Sequence, residues 1–192
     1  MESDRIKWNS RFASQDSFLG RGPSPFLERE MGRIKQLLSG RRALDIACGE
    51  GRNSIFLAGQ GFRVTGIDIS EVGLAKAACR AAAEGVEVEF VRADLERFRP
   101  AGRYDLVINF NFLLRQLIPL EVGLLSPGGI ILFDSILAIP AMPPPSNPDF
   151  YLQPGELFSL FSPYDGEILF HEESQLGEMP TARLMFRNSG GN

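Results

Sequence analysis

The chain reads as an α/β protein built on one seven-stranded sheet, mostly parallel with one antiparallel strand near the C-terminus, and with helices on both faces. Three observations predict this. From Ala43 onward, apolar runs of strand length alternate with stretches of helical periodicity, the pattern of successive βαβ units. Near the end, GEILFHEES and TARLMFR are two strand-like runs joined by a short connection containing Gly and Pro, which permits a hairpin. Finally, Asp45, Asp68 and Asp94 each close one of the first three strands, and the carboxyl ends of the strands are where an open α/β sheet binds its ligand.

The elements follow in order. Residues 1–24 are polar with isolated aromatics and end in Gly-Arg-Gly-Pro-Ser-Pro, which predicts a loop-like N-terminal arm. A leading helix over 25–39 starts at Pro25, in the proline-tolerant first turn, and Gly40 stops it. ALDIA is strand one, NSIFLAGQ a helix, FRVTGID strand two, and SEVGLAKAACRAAAE a helix capped by Ser70. VEVEFV alternates apolar and acidic residues and suits an edge strand, whereas YDLVINF is apolar enough for a buried central one. Pro119 predicts a kinked or late-starting helix in the stretch 112–125, and IILFDSIL follows as strand five. Residues 140–154 hold six of the thirteen prolines and predict a lid or site-lining loop, followed by a short helix and the hairpin over 155–192.

At 192 residues one domain is expected, with core enough to fold without disulfides or metal. A formal charge of −4 with no run of Lys or Arg gives no electrostatic footprint for nucleic acid. No apolar segment approaches the roughly 18 residues of a membrane helix. Cys48 and Cys79 are too few and wrongly spaced for zinc or a disulfide framework, and MESDRIKWN lacks the apolar stretch of a signal peptide. A cytoplasmic protein without metal, membrane or nucleic-acid partner is expected.

The chemistry centres on the loop Ala47-Cys48-Gly49-Glu50-Gly51, between strand one and the next helix. Glycines at 49 and 51 allow backbone to approach a ligand where a Cβ would collide. Gly49-x-Gly51-x-x-Ser54, with Asp68 downstream, nearly matches a dinucleotide fingerprint. Two features oppose that reading: Ser54 replaces the third glycine, and Asp45 would set a carboxylate beside a pyrophosphate. S-Adenosyl-L-methionine has no phosphate and carries ammonium and sulfonium charge, so acids there favour it.

LDIACGEGRNSIFLA, VTGIDIS, ADLERF, YDLVINF and LLSPGGIILFD, in this order over residues 40–135, resemble the motifs of class I S-adenosylmethionine-dependent methyltransferases. The family has a Rossmann-like fold and transfers a methyl group. KWNSRF, SPFL and QPGELFSLF are similar to tellurite-resistance-type and thiopurine-type small-molecule methyltransferases. The resemblance implies that Gly49 and Gly51 line the methionine part, that Asp45 orients it, and that Asp68 accepts from both ribose hydroxyls. It also implies that Asp94 takes the adenine amino group, with Leu95 near the ring and Ile69 over its face. Ala47 stands where the family has its first glycine, and an alanine there requires a negative φ.

Asn109 follows strand four, on the side that in the family faces the transferred methyl. Adenine- and glutamine-directed enzymes carry Asn/Asp-Pro-Pro-Tyr/Phe there, but this chain has Asn109-Phe110-Asn111-Phe112, which disfavours amino-group methylation of DNA or glutamine. Phe110 and Phe112 line a substrate pocket or belong to the core. Trp8, Arg11 and Phe12 either fold over the cofactor, with Arg11 on the methionine carboxylate, or pack elsewhere. Arg52 and Asn53 are divided between ligand contact and helix-start duties, and Phe150 and Tyr151 are candidates to close the pocket. His171 has no convincing metal partners. The expected activity is methyl transfer to a small molecule, such as a thiol, a selenium or tellurium species or another soft nucleophile. The alternatives are a binding module without turnover or an NAD-linked oxidoreductase.

Overall fold

The computed structural model describes residues 2–14, 17–140, 147–175 and 179–190. The chain forms two compact units, Met1–Ala101 and Gly102–Asn192. Numbered along the chain, the strands lie in the order 3-2-1-4-5-7-6, giving the seven-stranded sheet that the sequence predicts.

The first unit contains α1 (Glu2–Ala13), α2 (Pro25–Leu37), β1 (Arg42–Ile46), α3 (Arg52–Gly59), β2 (Arg63–Asp68), α4 (Glu71–Ala83) and β3 (Val88–Arg92). β1 pairs parallel with β2, placing Asp45 beside Gly66, and β2 pairs parallel with β3, placing Asp68 beside Arg92. This register carries the two acids to the same end of adjacent strands. α4 opens as expected: the Ser70 hydroxyl accepts the Gly73 N–H at 3.0 Å. β3 lies at the sheet edge, in keeping with its half-polar pattern.

The N-terminal arm is a correction. Residues 2–13 form a helix where a loop was expected. Glu2 and Asp4 occupy the first turn and Arg11 the last, which suits the helix dipole, and Arg5 pairs with Glu2 three residues away. Trp8 and Phe12 are one turn apart, so both rings fall on one face and stack at 5.7 Å. Too few apolar residues mark this face for periodicity alone to reveal it; docking of the Phe12 ring, buried in the first unit, supplies what helix propensity lacks.

The second unit contains β4 (Tyr104–Phe110), a 3-10 turn (Arg115–Leu117), α5 (Ile118–Gly123), β5 (Leu125–Ile136), α6 (Glu156–Phe161), β6 (Gly166–Ser174) and β7 (Thr181–Asn188). Pro119 sits in the first turn of α5 and delays the helix as expected. β4 and β5 are parallel, while β7 runs antiparallel to both β5 and β6. The core of this unit is aromatic: Phe161 of α6 meets Phe133 and Phe186, each at 5.8 Å between centroids. Full burial of each such ring stabilises the fold by about 1.5–3 kcal/mol.

Candidate functional site

In the first unit, the loop between β1 and α3 and the end of β2 bring together two buried carboxylates. Asp68 is 7% exposed; its Oδ2 accepts the Gly49 N–H at 2.8 Å and its Oδ1 the Ser70 N–H at 2.8 Å. Asp45 is 2% exposed and its Oδ2 accepts the Ser54 hydroxyl at 2.6 Å. Among the described residues, neither acid has a Lys or Arg within ion-pair distance. Burial therefore dominates their protonation. It pushes Asp45 up to about 7, with the Ser54 hydrogen bond opposing the rise, the charge of Asp68 adding to it and the charge of Arg52 opposing it. Burial also raises Asp68, against the amides of Ser70, Gly49 and Ile69. Two desolvated acids with no direct ion pair form a site that attracts positive charge.

The loop departs from expectation in two ways. Ala47 has φ +54°, not the negative value a side chain prefers, so the turn imposes the left-handed conformation on an alanine. The glycines, moreover, avoid collisions within the chain itself. A Cβ on Gly49 would lie 3.1 Å from the Phe12 ring, and one on Gly51 would lie 2.8 Å from the Ala77 Cβ. Both have positive φ, which glycine adopts without strain.

Phe12 brings α1 over this loop, and three polar contacts tie the arm down. Glu50, 7% exposed between the two glycines, accepts the Phe18 N–H at 2.7 Å and pairs with Lys76 at 3.1 Å. Lys76 also donates to the Phe12 carbonyl. Asn9 accepts the Ser70 hydroxyl at 2.6 Å, joining α1 to the start of α4. Arg11 lies 5.1 Å from the Trp8 ring and 5.6 Å from Phe18, a cation engaged by aromatic faces. Neither Glu50 nor Ser54 was foreseen as a functional partner. An acid between two loop glycines, and a hydroxyl nine positions after an aspartate, were the available signals.

The other candidates of this unit are less convergent. Asp94 is half-buried, and its Oδ1 accepts the Glu96 N–H at 3.1 Å, so it caps the turn that follows β3. Leu95 is buried and Ile69 half-buried. Arg52 donates to the Leu19 carbonyl at 2.9 Å, and Asn53 accepts the Ser24 N–H at 2.8 Å, so both hold the segment preceding α2.

In the second unit, Asn109, the next-to-last residue of β4, is buried and donates to Glu121 Oε1 of α5 at 2.8 Å. Phe110 is core, Phe112 half-buried, and Asn111 between them has φ +57°. Phe150 is exposed and Tyr151 half-buried. Arg115 clasps their loop, donating to the carbonyls of Asp149 at 2.7 Å and Tyr151 at 2.9 Å while pairing with Glu156. Residues 141–146 of the expected lid lie outside the described residues. His171 packs edge-on to Phe158 at 5.6 Å, and no metal-holding cluster occurs among the described residues.

Residues 43–126 match the family described as "Methyltransferase domain". The ubiquinone biosynthesis O-methyltransferase of Nitrosococcus oceani is 34% identical over 121 residues, 59% of this chain and 51% of that protein. The same enzyme of Bordetella avium is 36% identical over 106 residues, 52% of this chain and 44% of that one. The chain thus spans about half the length of the curated relatives it matches. Among solved structures, TehB from Haemophilus influenzae has a TM-score of 0.70 at 22% identity, covering 82% of this chain and 62% of its own. Magnesium protoporphyrin IX methyltransferase from Synechocystis PCC 6803 with bound SAM has a TM-score of 0.71 at 21% identity, covering 98% and 96%. These likenesses establish the fold, and at no more than 22% identity they say nothing of the acceptor. Over residues 43–126 the chain thus resembles methyltransferase domains, and its seven-stranded sheet has the Rossmann-like fold of the solved methyltransferases it matches.

Proposed function

We propose that this domain binds S-adenosylmethionine at the Asp45–Asp68 end of β1 and β2 and transfers its methyl group to a small-molecule acceptor. The observation that carries this is the pair of buried carboxylates, neither of which has a direct ion pair with a Lys or Arg among the described residues, Arg52 acting on Asp45 through its charge alone. Asp68 Oδ2 takes the Gly49 N–H and Oδ1 the Ser70 N–H, and a carboxylate with about four acceptor sites keeps capacity for ribose hydroxyls even with the Ile69 amide nearby. Asp45, desolvated beside the loop, suits the ammonium end, while the same two acids would repel a pyrophosphate. Ile69 and Leu95 supply apolar surface for the adenine, and Asp94 a hydrogen-bond acceptor at its rim.

The donor, when bound, supplies a methyl group already activated on a sulfonium. What is left to the protein is alignment of the acceptor and exclusion of water. A soft nucleophile such as a thiolate, selenide or telluride needs no strong base, and the arm motif KWNSRF with QPGELFSLF supports that acceptor class. Calorimetric titration with S-adenosylmethionine, S-adenosylhomocysteine and NAD tests the cofactor; binding of NAD with no response to S-adenosylhomocysteine would overturn it. Labelled methyl donor offered with thiols, selenite, tellurite and phenols tests the acceptor. Turnover of phenols alone would replace the soft-nucleophile assignment with O-methylation, and binding without turnover of any acceptor would favour a silent binding module.

A further inference from the structure

Outside the acid pair, the second unit holds a buried polar couple that the proposed chemistry does not use. Glu121 of α5 and Asn109 at the end of β4 are 0% and 1% exposed. One hydrogen bond joins them, Asn109 Nδ2 donating to Glu121 Oε1 at 2.8 Å. The two remaining side-chain oxygens, Glu121 Oε2 and Asn109 Oδ1, are both buried and have no hydrogen-bond partner. Each is an acceptor when the glutamate is ionised, so neither can satisfy the other. A proton on Glu121 resolves both deficits: Oε2–H donates to Oδ1, and carboxylic acid and carboxamide close a two-armed ring.

We propose that Glu121 is a protonated positioning residue whose neutral acid–amide pair with Asn109 fixes the end of β4, where Phe110, Asn111 and Phe112 begin the candidate acceptor side. The surroundings agree. Burial pushes Glu121 up to about 7, opposed only by the Asn109 hydrogen bond. The charged groups of neighbouring elements are engaged elsewhere. Arg103, preceding β4, donates to the carbonyls of Gly123, the last residue of α5, and Leu125, the first of β5. Arg115 of the 3-10 turn is held by Glu156, and Asp134 of β5 pairs with Arg183. Asp105 lies near the other end of β4, four positions before Asn109. Tyr164 feels the couple directly: burial raises its phenol, and the Glu121 charge raises it further.

The sign of the pH dependence follows. Because the folded value of Glu121 lies above its usual 4.5, its contribution to stability is complete below that value and is lost as pH rises through about 7. The decisive variant is Glu121→Gln, whose amide donates to Asn109 Oδ1 and accepts from Nδ2, keeping both arms without a titrating group. Urea unfolding of the full chain at pH 4 should give E121Q a midpoint equal to that of the parent. Above pH 7.5 the parent midpoint should fall below that of E121Q. Infrared spectra at pH 5.5 should show a buried protonated carboxyl band that E121Q lacks. A parent-minus-E121Q difference that stays flat from pH 5 to 9, or absence of the band, would overturn the pairing. The positioning role rests on the proposed methyl transfer and has its own readout: turnover of the parent, but not of E121Q, should fall above pH 7.5, and parallel profiles would remove the role. The unfolding and infrared arms need no turnover, so failure of the methyl-transfer reading leaves them interpretable.

Discussion

Replacing Asp68 with asparagine separates what this side chain does for the fold from what it does for the ligand. In the parent, Oδ1 and Oδ2 accept the Ser70 and Gly49 amides, both at 2.8 Å and both buried. Asparagine keeps one acceptor oxygen and turns an NH2 toward the other amide, stranding a backbone donor at a cost of about 1–3 kcal/mol. Removing the charge offsets part of this, because the carboxylate is desolvated and lies close enough to raise Asp45. The free protein should therefore lose no more than about 3 kcal/mol, read as a lower urea midpoint at unchanged slope. Affinity should fall further, since one lone pair facing the ribose becomes a donor: a loss of about 1–3 kcal/mol corresponds to roughly 5- to 150-fold in Kd. Calorimetry with S-adenosylhomocysteine measures this directly. A variant that binds as tightly as the parent would remove Asp68 from the ligand's contacts, and one equally stable would refute the amide accounting.

Three further outcomes follow from the first unit. Ala47→Gly should raise stability by roughly 0.5–1 kcal/mol, because relief of left-handed strain exceeds the added unfolded-state freedom of glycine; a lower urea midpoint would mean the φ of +54° is not strained. Glu50→Gln removes the charge that holds Lys76, so amide exchange in α1 should quicken about 5- to 30-fold, equivalent to about 1–2 kcal/mol, with the core strands unaffected. Uniform acceleration throughout the chain would contradict this. Asp45, raised from 3.8 to about 7, contributes stability that is complete below 3.8 and is lost as pH rises through about 7. A cationic ligand favours its ionised form, so binding below pH 7 should release a proton and tighten with rising pH. Calorimetry in buffers of different ionisation enthalpy checks this, and Asp45→Asn should abolish the release; no buffer dependence in the parent would exclude Asp45 from the cation's surroundings.

Alternating strand and helix periods revealed the sheet because every strand from β1 to β5 is an apolar or half-apolar run bounded by polar turns. Asp45 and Asp68 were legible for the same reason, since a strand's end is visible as the point where apolar alternation stops. What escaped was set by contacts distant in sequence. α1 is helical through docking of Phe12 near Gly49 and Gly73, which nothing in residues 1–24 announces. The conformation of Ala47 comes from a loop closed by Cys48 N–H on the Ile67 carbonyl and Gly51 N–H on the Cys48 carbonyl, and this closure overrides the preference of alanine. Glu121 was hidden in the apolar stretch LIPLEVGLL, where a lone acid reads as a solvated face until burial is known.

Trp8 is the sole tryptophan of the chain, stacked on Phe12 with the Arg11 guanidinium against its ring. The indole is thus a native optical probe mounted on the segment that covers Gly49. Its emission wavelength and its quenching by acrylamide will register lifting of the arm from the loop, with no dye or engineered label, in the same cuvette that follows ligand uptake.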